Sequence, residues 1–297
     1  MSGSGSGFGF GFEFAASSPC PPSAERAAEV RELFAAEARA ERPDLATLCL
    51  LVGAAADGGL DDAGIDSVQV ELDGLAGQVP YRPGGPGAWA GALRQLLGER
   101  FEFRGSPDDY QRLESSLLHA VLRRRRGLPI LLSVVWMEVG RRAGAPVYGV
   151  GLPGHFVVGF GVGAGAGDQV LVDPFDGGRV LSGGDAELLV GATLRPSMLE
   201  PADPLDVVVR VLNNIRAWAA ARPERSDVAL WAVELALVLP SHPARLRYER
   251  AQLLVQRGDF LTGAGELDAY AEVVAVVDEV AADRVRREAS SARAMLN

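Results

Sequence analysis

Cysteine is scarce in this sequence, with only Cys20 and Cys49 among 297 residues. Two cysteines cannot form the dense disulfide framework that stabilises small secreted domains, which excludes a disulfide scaffold. Cys20 stands between prolines in a low-complexity segment, and Cys49 stands in the apolar run 48–51. The expected role of Cys49 is that of a small buried hydrophobe.

The sequence also lacks long apolar runs and an excess of positive charge. No stretch approaches the roughly 18 apolar residues of a transmembrane helix, and the N-terminus does not resemble a secretory signal. We therefore expect a cytoplasmic protein that does not enter the membrane. The 29 Lys and Arg against 39 Asp and Glu give a net charge of -10 and a pI near 4.9. So acidic a chain repels phosphate backbones, and we expect no nucleic-acid partner.

Three regions differ in composition. Residues 1–23 consist of Ser-Gly and Gly-Phe repeats and a Pro-rich turn, which predicts a disordered tail because so few side chains can be buried. Residues 24–200 carry helical and then strand patterns, which predict the main domain. Residues 201–297 are helical throughout, and their lengths and breaks resemble a tetratricopeptide array, although an ordinary helical cap fits nearly as well.

The middle of the chain changes its hydrophobic period. A helix is predicted over 110–125, with Gly127 in the left-handed position just past its end. A second helix is predicted from Pro129 to about 143. Strands are predicted over 147–152, 155–160 and 169–173. A helical N-terminal part, a helix feeding a small antiparallel sheet, and an all-helical C-terminal region together predict an α+β fold.

Histidines are few enough to be weighed singly. His119 lies within a predicted helix and is expected to be structural, and His242 lies in a Pro-rich turn. His155 begins a strand after Pro-Gly, and Asp173 ends the next strand. Neighbouring antiparallel strands can place both side chains on one face within hydrogen-bond reach. A carboxylate that orients an imidazole is the supporting half of a nucleophilic triad, so both are candidate catalytic residues.

The residues around this pair resemble a known family. The segment 124–133 is similar to the R-R-x-G-I-P-I-x-L-S signature of the SirB-type transglutaminase-like family. The segments 152–156 and 173–178 are similar to its other two blocks, and Ser116 fits its upstream helix. The repeat-like C-terminal helices match the layout of the same family. The resemblance covers roughly residues 30–275.

The resemblance implies a papain-like or transglutaminase-like core, in which a cysteine at a helix N-terminus is activated by the strand histidine. His155 and Asp173 map onto the histidine and its orienting aspartate. The nucleophile maps onto Pro129 or a close neighbour, and proline has no nucleophilic atom. Ser133 and Ser116 are the alternative hydroxyl nucleophiles, although hydrogen bonding to a carbonyl is the more ordinary role of a helical serine.

Three functional hypotheses remain open from the sequence. The first is a pseudoenzyme that binds a protein or peptide partner, with Ser116, Arg125, Pro129 and Ser133 as candidate binding residues. The alternative is a hydrolase or acyl transferase that uses His155 as a general base. In the third, the pair only joins two strands. No metal is expected, because one histidine and one aspartate are too few ligands for a metal site. No cofactor is expected either. The oligomeric state is left open.

The arginine run 123–126 also allows two interpretations. It could bind phosphate, or it could be a solvated helix end whose basic residues complement the helix dipole. Because Arg124 and Arg125 fall on the arginines of the family signature, we expect a defined structural contact for at least one of them.

Overall fold

The computed structural model describes residues 19–80, 84–162 and 169–296. The predicted disordered tail therefore lies outside the described residues as far as residue 18. The five residues that follow contact the domain, since the carbonyl of Cys20 accepts a hydrogen bond of 2.7 Å from the Gly58 N–H. Ser23 caps the first helix by accepting a hydrogen bond from the Arg26 N–H.

The described residues form twelve α-helices and four strands. The first seven helices are α1 (Ala24–Ala38), α2 (Leu45–Ala56), α3 (Asp62–Ala76), α4 (Pro86–Leu93), α5 (Leu118–Arg124), α6 (Pro129–Arg142) and α7 (Gly183–Val190). The last five are α8 (Pro204–Ala220), α9 (Ser226–Val238), α10 (Arg245–Gln256), α11 (Phe260–Ala275) and α12 (Glu279–Ala294). The strands are β1 (Val147–Leu152), β2 (His155–Phe160), β3 (Val170–Asp173) and β4 (Arg179–Leu181). Within the described residues, every helix is too short or too polar to cross a bilayer.

The four strands form an antiparallel meander in the order β1-β2-β3-β4. Because side chains alternate across a strand, one face carries Phe156, Val158 and Val172, which join the main core with α6. The other face carries Val157 and Leu171, which form a smaller cluster with α7. The predicted α+β fold and the three predicted strands are confirmed.

The C-terminal helices belong to two apolar cores. The buried residues of α8 and α9 join the main core together with α1, α2 and α6. The helices α10, α11 and α12 form a separate cluster built mainly from alanines and small branched residues. Ion pairs from Glu234 to Arg31 (2.9 Å) and to Arg250 (3.2 Å) link α9 to α1 and α10. The domain boundaries at 23/24 and 200/201 stay predictions.

The predicted helix over 110–125 is wrong. Residues 107–111 and 113–116 form two short 3₁₀ turns, and only Leu118–Arg124 is α-helical. The physical reason is the buried carboxylate of Asp109. Its hydrogen bonds to Ser106 and Ser115 require the backbone to turn back on itself, which a continuous helix does not allow. The left-handed residue after this helix is Arg125, with φ 56°, and not Gly127. Gly127 instead leaves room for the side chain of Val121, since a Cβ at position 127 would lie 2.6 Å from it.

Two elements of the structure carry no clear sequence pattern. The strand β4 is only three residues long, and α7 is a short helix with the single buried residue Ala186. The helix α4 continues into a π-helical segment over Arg94–Arg100. That segment brings Gly98 against the loop after β3, where a Cβ would overlap the carbonyl oxygen of Gly177. A second close approach lies at Gly105, where a Cβ would overlap the Phe175 ring.

The space around two glycines predicts opposite effects of glycine-to-alanine substitution on the free energy of unfolding. Gly98→Ala should destabilise the fold by roughly 1–3 kcal/mol, because backbone must move to admit the methyl group. Gly91→Ala in α4, where nothing lies within 4 Å of the new Cβ, should stabilise it by about 0.5–1 kcal/mol through helix propensity. Urea unfolding midpoints of both variants check this. Equal midpoints for Gly98→Ala and wild type would contradict the packing described.

Candidate histidine–aspartate site

The site begins at the tight turn between β1 and β2. Leu152 and His155 form the last cross-strand pair, and Pro153 and Gly154 connect them. Gly154 has φ +71°, as the third residue of a type II turn requires, and proline suits the position before it. His155 is therefore the first residue of β2, and the turn and the strand fix where its imidazole lies.

The structure brings His155 and Asp173 together. The imidazole Nε2 lies 3.1 Å from Asp173 Oδ2. Their side chains are only 11% and 4% exposed, so water competes little for this hydrogen bond. The reason is strand alternation, because His155 shares a face with Val157 of β2 and Asp173 shares that face with Leu171 of β3.

The carboxylate of Asp173 uses both oxygens. Its Oδ1 accepts a hydrogen bond of 2.9 Å from the Phe175 N–H, which starts the 3₁₀ turn Pro174–Asp176. Its Oδ2 is then directed at His155 Nε2, which donates in the neutral tautomer. Within the described part of the chain, Nδ1 of His155 has no hydrogen-bond partner. This nitrogen is the atom available to accept a proton or a ligand N–H.

Two aromatic rings lie near the pair, one in contact with the imidazole and one in contact with the first ring. The Phe175 ring meets the imidazole edge-on, with centroids 6.2 Å apart and an interplanar angle of 90°. The Tyr110 ring packs on Phe175, also with centroids 6.2 Å apart, and is half exposed. Burial raises the pKa of Tyr110, and the negative charge of Asp173 raises it further. Sequence reasoning missed Tyr110, because nothing local marks a tyrosine 63 positions before its aspartate.

A buried network holds the segment that carries Tyr110. Asp109 is 3% exposed and accepts hydrogen bonds of 3.0 Å from the N–H and the hydroxyl of Ser106. Its other oxygen accepts from Ser115 Oγ (3.0 Å) and from Arg124 (3.2 Å). The Ser115 carbonyl accepts the Leu128 N–H at 2.9 Å, where α6 begins. Arg124 thus has the structural contact expected for the arginine run.

The four candidate binding residues make contacts of their own elsewhere in the domain. Ser133 is fully buried and donates to the Phe156 carbonyl at 3.3 Å, while Pro129 is the first residue of α6. Ser116 is buried in a 3₁₀ turn. The Arg125 guanidinium lies over the Phe101 ring at 4.9 Å. Among the hydrogen bonds of the described residues, none joins any of these four to His155.

Both thiols lie elsewhere. Cys49 is 2% exposed inside α2, where burial, followed by the charge of Glu138, raises the thiol pKa. A thiol with a raised pKa is a poor nucleophile. Cys20 is exposed and lies beside Gly58 at the N-terminal end of the described residues. No three His, Cys, Asp or Glu side chains in the described ranges converge as metal ligands.

A second candidate surface is a cleft of about 370 Å³ between α8 and α10. Arg216 reaches across it to Glu249 and also bonds to Asn213 at 2.7 Å. Arg245 is exposed at the rim. The cleft is lined by Asn213, Arg216, Ala217, Ala220, Arg245, Tyr248, Glu249 and Gln252. Most of these polar side chains can donate hydrogen bonds.

Known proteins divide the chain in a similar way. The family model of the transglutaminase-like superfamily matches residues 66–213, and that of the tetratricopeptide repeat matches residues 215–297. A UPF0162 protein of Xylella fastidiosa (strain 9a5c) is 32% identical over 195 residues, which cover 61% of this chain and 66% of that protein. Human F-box only protein 21 is 25% identical over 161 residues, which cover 52% of this chain and 26% of that protein.

One solved structure is also similar. A crystal structure of menin superposes with a TM-score of 0.42 at 12% identity, covering 94% of this chain and 70% of that chain. A likeness this distant carries no argument about the site.

The influence of the Asp173 charge on Tyr110 predicts a shift in a tyrosine titration. Asp173→Asn should lower the pKa of Tyr110, because it removes a nearby negative charge, but burial should still hold that pKa above its ordinary value. Tyrosinate absorbance across alkaline pH measures this. The chain has five tyrosines, so the Tyr110 contribution is obtained by subtracting the titration of Tyr110→Phe in each background. An unchanged Tyr110 titration in Asp173→Asn would show that the charge does not reach the ring.

Proposed function

This chain belongs to the transglutaminase-like superfamily and carries tetratricopeptide repeat helices, and from that premise we propose that it is a protein- or peptide-binding module without cysteine chemistry. The observation that carries the proposal is a hydrogen-bonded His155–Asp173 pair with neither thiol beside it. Cysteine chemistry needs a thiol within hydrogen-bond reach of the imidazole, or one activated at a helix N-terminus. Here α6 begins at Pro129, and Cys49 is buried in another helix.

Ser133 is a poor candidate nucleophile, for a structural reason. Ser133 donates its proton to the Phe156 carbonyl and has no exposed surface, so it is neither activated nor accessible. A serine nucleophile requires a base that accepts its proton, and the hydrogen bond to a carbonyl occupies that proton instead. This supports a binding role for the domain over acyl transfer.

The cleft between α8 and α10 is the surface that we propose for the partner. Arg245 is exposed at the cleft, and Arg216 is held in position by hydrogen bonds to Glu249 and Asn213. Tyr248 and Gln252 line the same cleft and are already hydrogen-bonded, Tyr248 to Glu288 of α12 and Gln252 to Tyr248. An exposed arginine suits a partner segment that offers a carboxylate.

The absence of acyl chemistry can be measured by intact mass. Incubation with an activated ester should give Cys20→Ser the same adducts as Cys20→Ser/His155→Ala, because no residue depends on His155 for activation. The Cys20→Ser background removes the exposed thiol, which reacts without help. An adduct mapped to a residue other than His155 that vanishes with His155→Ala would refute the non-catalytic proposal.

The partner cleft can be tested with charge reversals. Arg245→Glu should weaken capture of a bound partner by roughly tenfold, a cost of about 1.4 kcal/mol for replacing a donor by a repelling carboxylate. Arg123→Glu makes the same change on an exposed residue at the end of α5 and should leave capture unchanged. His155→Ala should also leave it unchanged. Quantitative mass spectrometry of captured proteins reports all three. If Arg245→Glu retains the wild-type partners, the cleft is not the binding surface.

A further inference from the structure

We infer that Arg210 of α8 is the positioning residue of His155. One guanidinium nitrogen, Nη2, donates to the carbonyl of Leu152 at 3.0 Å and to the carbonyl of His155 at 2.8 Å. These two residues stand on either side of the Pro153–Gly154 turn. Arg210 therefore ties the end of the hairpin that presents the imidazole to a helix of the C-terminal region.

The carbonyl contacts bear directly on the imidazole. A hydrogen bond to the His155 carbonyl fixes the peptide plane that follows His155, and the bond to Leu152 fixes the plane that precedes the turn. Between them the turn has little freedom, since proline restricts its own φ and Gly154 is held at φ +71°. The direction of the His155 side chain towards Asp173 follows from this backbone geometry.

An aromatic ring and a glycine accommodate the guanidinium of Arg210. Its carbon lies 5.2 Å from the centroid of the Phe156 ring, within cation–π range. A Cβ at Gly151 would lie 2.7 Å from Nη1, so the glycine leaves the space that the guanidinium occupies. Burial lowers the pKa of Arg210, and no carboxylate among the described residues pairs with it. The two hairpin carbonyls are thus its main acceptors.

Arg210 can hold the hairpin in place only if its own helix is fixed, and α8 is packed into the core. Val207, Val208 and Val211 of this helix are fully buried in the main core. Towards its other end, the Trp218 indole N–H donates to the Gln111 carbonyl at 3.0 Å, and Arg222, just after the helix, donates to the Gln111 side chain at 2.8 Å. Gln111 directly follows Tyr110, which packs on Phe175. The same helix therefore contacts both the hairpin that carries His155 and the segment that carries Tyr110.

Helix geometry separates this role from the cleft. At about 100° per residue, Arg210 and Trp218 fall within about 80° of one another, while Arg216 falls about 120° from Arg210 and about 160° from Trp218. Arg216 lines the cleft and pairs with Glu249. It is therefore a matched control for Arg210, because it is the same residue type on the same helix and its hydrogen bonds are made on a different face. The inference about Arg210 does not rest on the proposed function.

Imidazole NMR of protein labelled with ¹⁵N-histidine tests the inference. The chain has three histidines, and substitution of each by glutamine assigns their signals. In Arg210→Met the His155 signals should move towards those of Asp173→Asn, because the imidazole loses its alignment with the carboxylate. In Arg210→Lys an ammonium should restore part of the wild-type position. Arg216→Met should leave the His155 signals where they are in wild type.

The His119 and His242 signals report whether each variant keeps its fold. If Arg210→Met keeps both of these signals and also the wild-type His155 signals, Arg210 does not position His155. If Arg210→Met does not fold, Gly151→Ala decides, because its methyl group displaces the guanidinium without removing it. A shift of the His155 signals in Gly151→Ala supports the inference, and unchanged signals overturn it.

Discussion

The buried carboxylate of Asp109 is the constraint on which the middle of the structure depends. A buried charge is tolerated only when its oxygens are paired, and Ser106, Ser115 and Arg124 pair them. To reach one acceptor from both sides, the chain must fold back over residues 106–116, so a continuous helix is impossible there. The same network sets the start of α6, through the Ser115 carbonyl, and the place of Tyr110 beside Phe175.

Local pattern was sufficient to predict the elements that obey it. Hydrophobic period and cap residues predicted α6 and three strands, and strand alternation predicted that His155 and Asp173 would share a face. The prediction of a helix over 110–125 was wrong because apolar spacing does not reveal that Asp109, the residue just before it, is buried. The strand β4 was not predicted because three residues are too few to show an alternation.

The contacts that complete the site join positions far apart in the chain. Arg210 reaches carbonyls 55 and 58 residues before it, and Trp218 reaches one 107 residues before it. Neither residue stands out within α8, where arginine and tryptophan fit an amphipathic surface. Such contacts depend on how the helices pack, which the sequence alone does not determine. The family resemblance identified the histidine and the aspartate but not the helix that holds the hairpin.

A pair that only tied β2 to β3 would be redundant in this sheet. The two strands already share three register pairs, and Asp173 already fixes the following turn through the Phe175 N–H. The additional bond to His155 orients an imidazole whose other nitrogen has no partner among the described residues, and Arg210 adds a second constraint on the same residue. Constraint of this kind is what an acceptor needs in order to meet a ligand donor in one geometry. With both thiols elsewhere, the imidazole is oriented and packed against the Phe175 ring but has no thiol beside it to activate.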